Sequence, residues 1–351
     1  DVMIFDPADL DRPLGLNMLE YDPTRPEEKT FIVNEMQSIF NKLFLAETMG
    51  PMFEQYMRNA LLLLMDDALG GSTLMAVPRI FTDIEFRKSK LRNAKNPAVV
   101  DFWEKEAVKA GGEASLANMT PYITSKFNNF IANDYIRPII GQSQSSFNFR
   151  EIMDNGKIIL VNLSKGKIGD INAGLLGMII TGKFLMAALS RTDIPEKKRR
   201  DFNVYIDEFQ NFTTDSIATA LSEARKYHLS LVMAHQFIAQ LAEKIRDAVF
   251  GNVGSIISFR IGIEDAEFLV KQFEPVFGVN DLVNIDNFNA YVKLLIKGMT
   301  ARPFNIRTRA IEAGEDEVGE NLRVMSRQKY GRDRKEVEAS IINRLRGPLN
   351  E

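Results

Sequence analysis

Short apolar stretches alternate with helical stretches through the second half of the sequence, and this alternation constrains the fold more than any other feature. Segments with the spacing of helices separate the stretches from one another. The stretches are GKIILVNLS, FNVYIDEF, LSLVMAHQ, GSIISFRIG and AYVKLLIKG. Strands that are apolar throughout are typical of parallel sheets covered on both faces by helices. The sequence therefore predicts an α/β fold with a mainly parallel sheet.

The first half of the chain has a different texture. Residues 30–150 place apolar side chains at helical spacing, as in TFIVNEMQSIFNKLF, and contain few candidate strands. We expect this segment to be an α-helical insertion between two pieces of one core, residues 1–29 and 151–310. The charged tail, residues 311–351, is expected to contain a helix near RKEVEASIINRLR.

The segment FNVYIDEFQNF, residues 202–212, runs from apolar residues directly into Asp207 and Glu208. The second nucleotide-binding motif of a P-loop ATPase has this pattern. There the Asp holds a water on Mg²⁺ and the Glu polarises the attacking water. Both acids would lie at the carboxyl edge of a parallel strand, where open α/β sheets bind ligands. Taken alone, these residues fit a strand that ends in two solvated acids equally well.

The next predicted strand, LSLVMAHQ, brings Gln236 to the same edge. A polar residue there could sense the γ-phosphate of a bound nucleotide, or it could be a helix N-cap or a surface residue. His235 would point the other way, because side chains alternate along a strand. We expect His235 to be structural.

Arg225 lies near the end of the helix between these two strands. Its guanidinium could act in a neighbouring subunit as an arginine finger, which stabilises charge on the transferring phosphoryl group. It could equally interact with the dipole at the helix C-terminus. Arg260, at the end of SIISFR, is a second candidate finger. Of the two, Arg225 is favoured.

A phosphate loop of the form G-x-x-x-x-G-K-[ST] is absent from the 351 residues. The near match GMIITGKF, residues 177–184, has Phe where the magnesium-binding Ser or Thr belongs, and no glycine between its ends to let the backbone wrap a phosphate. We expect it to be a core helix. No transmembrane helix is predicted, because Lys183 interrupts the most apolar run, residues 174–189, which is also short of about 20 residues.

Composition excludes several kinds of site. The chain has no cysteine and two histidines, which rules out disulfides and Cys-based metal sites and leaves little material for a multi-His metal site or a Ser-His-Asp triad. The net charge of −3 means that DNA binding would require a local basic surface or a pore lining. Lys165 and Lys167, in SKGKIGD, could form such an element, although a solvated turn explains them better.

Several separate blocks together carry a family resemblance. VYIDEFQNF, LSEARKYHLSLVMAHQFIAQL and FGNVGSIISFRIG, in this order and spacing, closely resemble the HerA–FtsK superfamily of DNA-pumping ATPases, and within it the HerA-like and type IV secretion coupling (conjugation) ATPases. RPLGLNMLE, FNFREIMDNGKIILVNLSKGKIG and ARPF extend the resemblance over roughly residues 1–310.

The resemblance implies a RecA-like P-loop NTPase core, ATP and Mg²⁺ as cofactors, and a homo-hexameric ring that translocates double-stranded DNA. It implies a magnesium role for Asp207 through water, a catalytic role for Glu208, a sensor role for Gln236 and a finger role for Arg225. It also implies a cytoplasmic location, with peripheral attachment at the inner membrane through missing N-terminal regions or partners as the alternative.

The missing phosphate loop is the departure from this family. The loop precedes a strand like DVMIFD in the family, and here the chain begins at that strand. We expect truncation upstream of Asp1 rather than degeneration, because the catalytic candidates keep competent identities. The chain as given is expected to be inactive alone. Two alternatives are a non-catalytic scaffold and a substrate-recruiting coupling subunit with relaxase or secretion-channel partners.

Overall fold

The computed structural model describes residues 1–67, 70–108 and 113–346, which belong to two compact units. Unit 1 comprises Asp1–Asp193 and Glu317–Glu351, and unit 2 comprises Ile194–Asp316. Each unit is built separately around its own apolar residues.

In the described part of Asp1–Asp193, unit 1 contains a two-stranded parallel sheet and ten α-helices. Strands β1 (Val2–Phe5) and β2 (Ile158–Val161) pair in parallel, with Val2 opposite Ile158. The helices are α1 (Pro26–Leu43), α2 (Pro51–Asp66), α3 (Val77–Thr82), α4 (Ile84–Asn93), α5 (Pro97–Asp101), α6 (Glu113–Ile131), α7 (Arg137–Ile140), α8 (Phe149–Asp154), α9 (Lys165–Ile168) and α10 (Asp170–Leu189). Between residues 30 and 150 the described part of the chain forms helices and no strand.

An aromatic cluster holds the helices of residues 30–150 together. Phe40 of α1 is fully buried, and its ring centre lies 4.7 Å from that of Phe127 and 5.9 Å from that of Phe53. Phe130 packs edge-on against the same ring at 6.0 Å. Because these rings come from α1, α2 and α6, one buried cluster ties three helices that are far apart in sequence.

Helix α10 runs through the core of unit 1 and packs against α1 and α8. It contains the near match at residues 177–184, so the expectation of a core helix there is confirmed. Lys183 is only 8% exposed and donates a hydrogen bond from Nζ to the carbonyl oxygen of Glu20 at 2.5 Å. An amine that is held this way inside a helix core is not placed to clamp a nucleotide phosphate.

One helical stretch in the described residues, Asp170–Asp193, is apolar and long enough to cross a bilayer. This stretch contains the apolar run that Lys183 interrupts, where the sequence predicted a core helix and no membrane span. In the structure, 72% of its most apolar window is buried within the protein, so the stretch is only weak evidence for a membrane span.

Unit 2 contains a second parallel pair and an antiparallel sheet. Its strands are β3 (Phe202–Ile206), β4 (Leu229–Met233), β5 (Ile256–Ser258), β6 (Asn289–Lys293), β7 (Leu295–Ile296), β8 (Met299–Thr300) and β9 (Phe304–Arg307). Its helices are α11 (Asp215–Glu223), α12 (Glu243–Asn252), α13 (Ile263–Phe273) and α14 (Val279–Val283). β3 pairs with β4 in parallel, whereas β5, β6 and β9 form an antiparallel sheet in the order β5-β6-β9.

The expectation of parallel pairing is therefore confirmed for β1–β2 and β3–β4 and is wrong for β5 and β6, which pair antiparallel, as β6 does with β9, a strand that the sequence did not predict. For β6 and β9 the physical reason lies in the connection between them. Lys297 and Gly298 both have positive φ, 49° and 80°, and form a two-residue turn between β7 and β8. Two such residues in a row match the twist of an antiparallel hairpin, which reverses the chain at once.

Two helices of the tail complete unit 1. They are α15 (Asp316–Tyr330), which the sequence did not indicate, and α16 (Arg334–Arg346), which covers the stretch RKEVEASIINRLR where a helix was expected. Ser326 of α15 accepts a hydrogen bond from the backbone N–H of Ile4 at 2.9 Å and donates to the carbonyl oxygen of Ile4 at 3.3 Å. α16 is tied to α7 through Arg137 and Glu338, whose ion pair spans 3.1 Å.

Candidate functional site

The carboxyl edge of the β3–β4 pair carries the predicted acids. The strands end at Ile206 and Met233, which lie opposite each other. The backbone ladder continues past this point, because Ala234 N–H donates to the carbonyl of Ile206 and Phe209 N–H donates to the carbonyl of Ala234, both at 2.9 Å. The residues that follow both strands are thereby held side by side at one edge.

Glu208 adopts an uncommon backbone conformation at this edge. Its φ of 48° and ψ of 43° place it in the left-handed region, which costs a non-glycine residue roughly 1–2 kcal/mol. The next residue, Phe209, is fully buried in the cluster around Ile217 and Ile245. Burial of this ring anchors the turn and so offsets the unfavourable conformation of Glu208.

Two amide groups hold the Glu208 carboxylate. Gln236 Nε2 donates to Oε1 at 2.5 Å, and Gln210 Nε2 donates to Oε2 at 2.6 Å. Hydrogen bonds to an ionised acceptor are stronger than those between neutral groups. The structure thus brings Glu208 and Gln236 together, as the sequence led us to expect, and fixes both oxygens of the carboxylate.

Gln210 was missed by the sequence reasoning. It is 8% exposed and lies in the 3₁₀ turn Phe209–Asn211. Its position two residues after the acid was the available signal, since a short turn can fold residue 210 back onto residue 208. The sequence alone did not show that a tight turn follows Glu208.

Asp207 is exposed and accepts a hydrogen bond from the backbone N–H of Glu208 at 2.9 Å. Among the described residues no group of three or more Asp, Glu or His side chains could hold a metal ion. Mg²⁺ at nucleotide sites usually keeps several waters and takes other ligands from the phosphates. Asp207 is the residue at this edge that would hold one of these waters.

His235, between Ala234 and Gln236, is half-buried. Burial lowers its pKa from the usual value of 6.5, and the nearby Asp265 opposes this shift only in part. Asp265 accepts a hydrogen bond from the backbone N–H of Ile238 at 3.2 Å. Burial thus disfavours the charged form of His235.

Arg225 lies at the other edge of the same strand pair. It belongs to the 3₁₀ turn Ala224–Tyr227, which ends just before β4 begins at Leu229. Its side chain is exposed and makes no ion pair or side-chain hydrogen bond within the part of the chain that the structure describes. Five residues of strand span about 17 Å, so within one chain Arg225 is not brought to Glu208.

The remaining basic candidates lie elsewhere. Arg260 follows β5 of the antiparallel sheet and donates to Asn287 Oδ1 at 3.3 Å. Lys165 and Lys167 lie on the short helix α9 of unit 1, where Lys165 Nζ is 3.3 Å from Asp170 Oδ2. None of the three belongs to the β3–β4 carboxyl edge.

Solved structures share the fold of this chain. The bacterial conjugative coupling protein TrwB in an unbound form superposes with a TM-score of 0.58 at 14% identity, over 89% of this chain and 74% of TrwB. TrwB in complex with the non-hydrolysable ATP analogue ADPNP gives 0.56 at 15% identity, over 89% and 74% of the two chains. VirB4 of Thermoanaerobacter pseudethanolicus gives 0.50 at 14% identity, over 90% and 83%.

No protein-family model and no curated protein matches the chain. At 14–15% identity the structural likeness shows the fold alone. The chain has an α/β fold shared with TrwB and VirB4, and the resemblance predicted from the sequence blocks is confirmed at that level.

Proposed function

We propose that this chain is the glutamate-bearing part of a coupling ATPase of conjugation or type IV secretion, with a RecA-like core that drives double-stranded DNA through a homo-hexameric ring. The observation that carries the proposal is the Glu208 carboxylate, held by Gln236 and Gln210 at the carboxyl edge of a parallel strand pair. The fold likeness to TrwB, which has been solved with an ATP analogue, supports it.

The proposed chemistry is hydrolysis of ATP with Mg²⁺. Asp207 would hold a water of the magnesium shell, and Glu208 would polarise the attacking water. Gln236 is exposed and bonded to Glu208, so it is placed to exchange that contact for one to the γ-phosphate. Bound Mg²⁺ would neutralise charge that develops on the phosphoryl oxygens.

Arg225 is proposed to act in a neighbouring subunit. The position of Arg225 at the amino edge of β4 keeps it away from Glu208 of the same chain. A finger supplied by another subunit needs an exposed guanidinium, and the Arg225 side chain is exposed. Arg225→Ala in the complete protein should abolish hydrolysis and spare nucleotide binding. Loss of nucleotide binding would instead assign Arg225 a structural role.

Hydrolysis by this route needs a phosphate loop, and the 351 residues contain none. The test is to express the protein from the complete reading frame that encodes this chain, and to measure phosphate release with Glu208→Gln as the matched inactive variant. We expect turnover in the wild type and a loss of at least about 100-fold in the variant. A complete protein without a phosphate loop and without turnover would exclude the enzyme.

The missing loop is also the one observation that favours a second candidate. A subunit that keeps the fold without hydrolysing ATP could recruit a relaxase or secretion-channel proteins, with the helices of residues 30–150 as the docking surface. The same expression experiment separates the two, since the second candidate requires no nucleotide turnover and no effect of Glu208→Gln on partner binding.

A further inference from the structure

Two basic segments meet at the amino edge of the β3–β4 pair, opposite the edge that carries Glu208. Residues 196–201 and 223–228 together contain six Lys and Arg against three Asp and Glu, in a chain whose net charge is −3. We call this surface the amino-edge patch. Its cationic residues are Lys197, Lys198, Arg199, Arg200, Arg225 and Lys226.

The register of the parallel pair brings the two segments together. Phe202 lies opposite Leu229, and its backbone N–H donates to the carbonyl of His228 at 2.9 Å. Arg199 donates from Nη1 to the carbonyl oxygen of Lys226, and its guanidinium lies 5.5 Å from the ring centre of Tyr227. The convergence is thus fixed by backbone pairing and by Arg199, and does not depend on the exposed cations.

Several of the cations face solvent without an ion-pair partner. Lys197, Lys198 and Arg225 are exposed, and none of them forms an ion pair within the described residues.

The three acids of the patch offset this charge only in part. Glu223 lies 2.9 Å from Lys226 Nζ, and Asp201 lies 2.7 Å from His228 Nδ1. Glu196 is exposed and forms no ion pair within the described residues. Six cations against three acids leave the patch with a formal net charge of +3.

From this geometry we propose that the amino-edge patch binds the phosphodiester backbone of DNA. Consecutive lysines on an exposed rim are suited to phosphates, since each amine is a point charge that needs no particular angle of approach. A local basic surface is the arrangement that a protein of negative net charge requires for such a partner. The identification of the bound polyanion as DNA rests on the proposed function. The presence of a cationic surface at the amino edge does not depend on that function.

The arrangement separates two partners in space. The acids of the candidate ATP site lie at the carboxyl edge, and the cations lie at the amino edge, about one strand length away. Lys197 and Lys198 would therefore bind DNA on this strand pair without using the side chains that are proposed to act on the nucleotide, Glu208, Gln236 and Arg225. Contacts to phosphates alone carry no base readout, so binding by the patch is independent of DNA sequence.

The test measures fluorescence anisotropy of a fluorescein-labelled duplex of mixed sequence with residues 1–351, over a series of salt concentrations. Lys197→Ala/Lys198→Ala removes two charges and leaves Arg199 and Arg225 in place. We expect its Kd to rise about tenfold and the slope of log K against log salt to fall by about two. The matched control, Lys271→Ala/Lys335→Ala, removes two exposed charges from α13 and α16 and should leave both quantities unchanged.

The outcomes that would overturn the proposal are distinct. Failure of the wild type to bind duplex would do so, as would equal effects of the two double variants. Displacement of the duplex by polyglutamate as readily as by unlabelled DNA of equal charge would assign the patch to an acidic protein instead. None of these measurements needs ATP, so an inactive complete protein would refute the proposed ATPase and leave the patch result standing.

Discussion

At the scale of single residues, the Glu208 carboxylate decides what the β3–β4 edge can do. Its two oxygens accept from amides of different kinds: Gln236 is exposed, whereas Gln210 is buried. A buried donor in a short turn keeps its place, while an exposed one can exchange partners. Gln210 therefore orients the carboxylate, and Gln236 is the group that a bound nucleotide could draw away.

Replacement of Gln210 tests this orientation in the chain as it stands. Gln210→Ala removes a hydrogen bond to a charged acceptor from a buried position, so the free energy of unfolding should fall by about 1.5–3 kcal/mol. Gln240→Ala, at an exposed glutamine of the same unit, is the control and should stay within about 0.5 kcal/mol. Urea denaturation measures both. Equal, small effects would show that the Gln210 contact does not contribute to stability.

Lys183 gives a residue-scale prediction about pH. Burial lowers its pKa from 10.5 to about 8, so the unfolded chain binds more protons than the folded chain between these values. Stability must then rise with pH through this window. The wild type should gain about 1 kcal/mol between pH 7 and 9 relative to Lys183→Met. Denaturation midpoints at the two pH values measure the difference, and parallel pH profiles would contradict it.

At the scale of elements, the sequence predicted the strands and helices of the β3–β4 region better than it predicted strand direction. Apolar strands alternate with helices whether the sheet is parallel or not, so periodicity alone could not distinguish β5–β6 from β3–β4. For β6 and β9 the deciding feature was local: two positive φ angles at residues 297 and 298 reverse the chain between them. The direction of β5 against β6 is set across α13 and α14, and no local signal in the sequence encodes it. The ends of the predicted strands pointed to Asp207, Glu208 and Gln236 as candidate site residues. Gln210 reaches the site through a tight turn after Glu208, which the hydrophobic periodicity of the sequence does not predict.

Gly298 is the element-scale test of that turn. Its φ of 80° disfavours any side chain, although an added Cβ would meet no atom within 4 Å. Gly298→Ala should therefore lower the free energy of unfolding by about 1 kcal/mol through the backbone alone. Gly251→Ala, in helix α12 and equally open, should raise it by up to about 1 kcal/mol. Thermal or chemical denaturation that gives the same sign for both would refute this account.

At the scale of the whole molecule, the proposed ATP site has Asp207 and Glu208 but no phosphate-loop lysine within the 351 residues to clamp the β- and γ-phosphates. The buried Lys183 cannot take that part, because its amine is engaged inside unit 1. We expect negligible release of phosphate by residues 1–351 alone. Robust turnover that disappears in Glu208→Gln would contradict this expectation and would require a phosphate site of another kind.

The contact between Ser326 and Ile4 has a consequence for solubility. The carbonyl groups of Asp1 and Phe5 face β2, so the N–H and C=O of Ile4 face the outer side of β1. An open strand edge of this kind recruits strands from other chains and promotes aggregation. Here the Ser326 hydroxyl of α15 hydrogen-bonds to both the N–H and the C=O of Ile4. These two groups are therefore not available to pair with a strand of another chain, and α15 opposes edge-to-edge association.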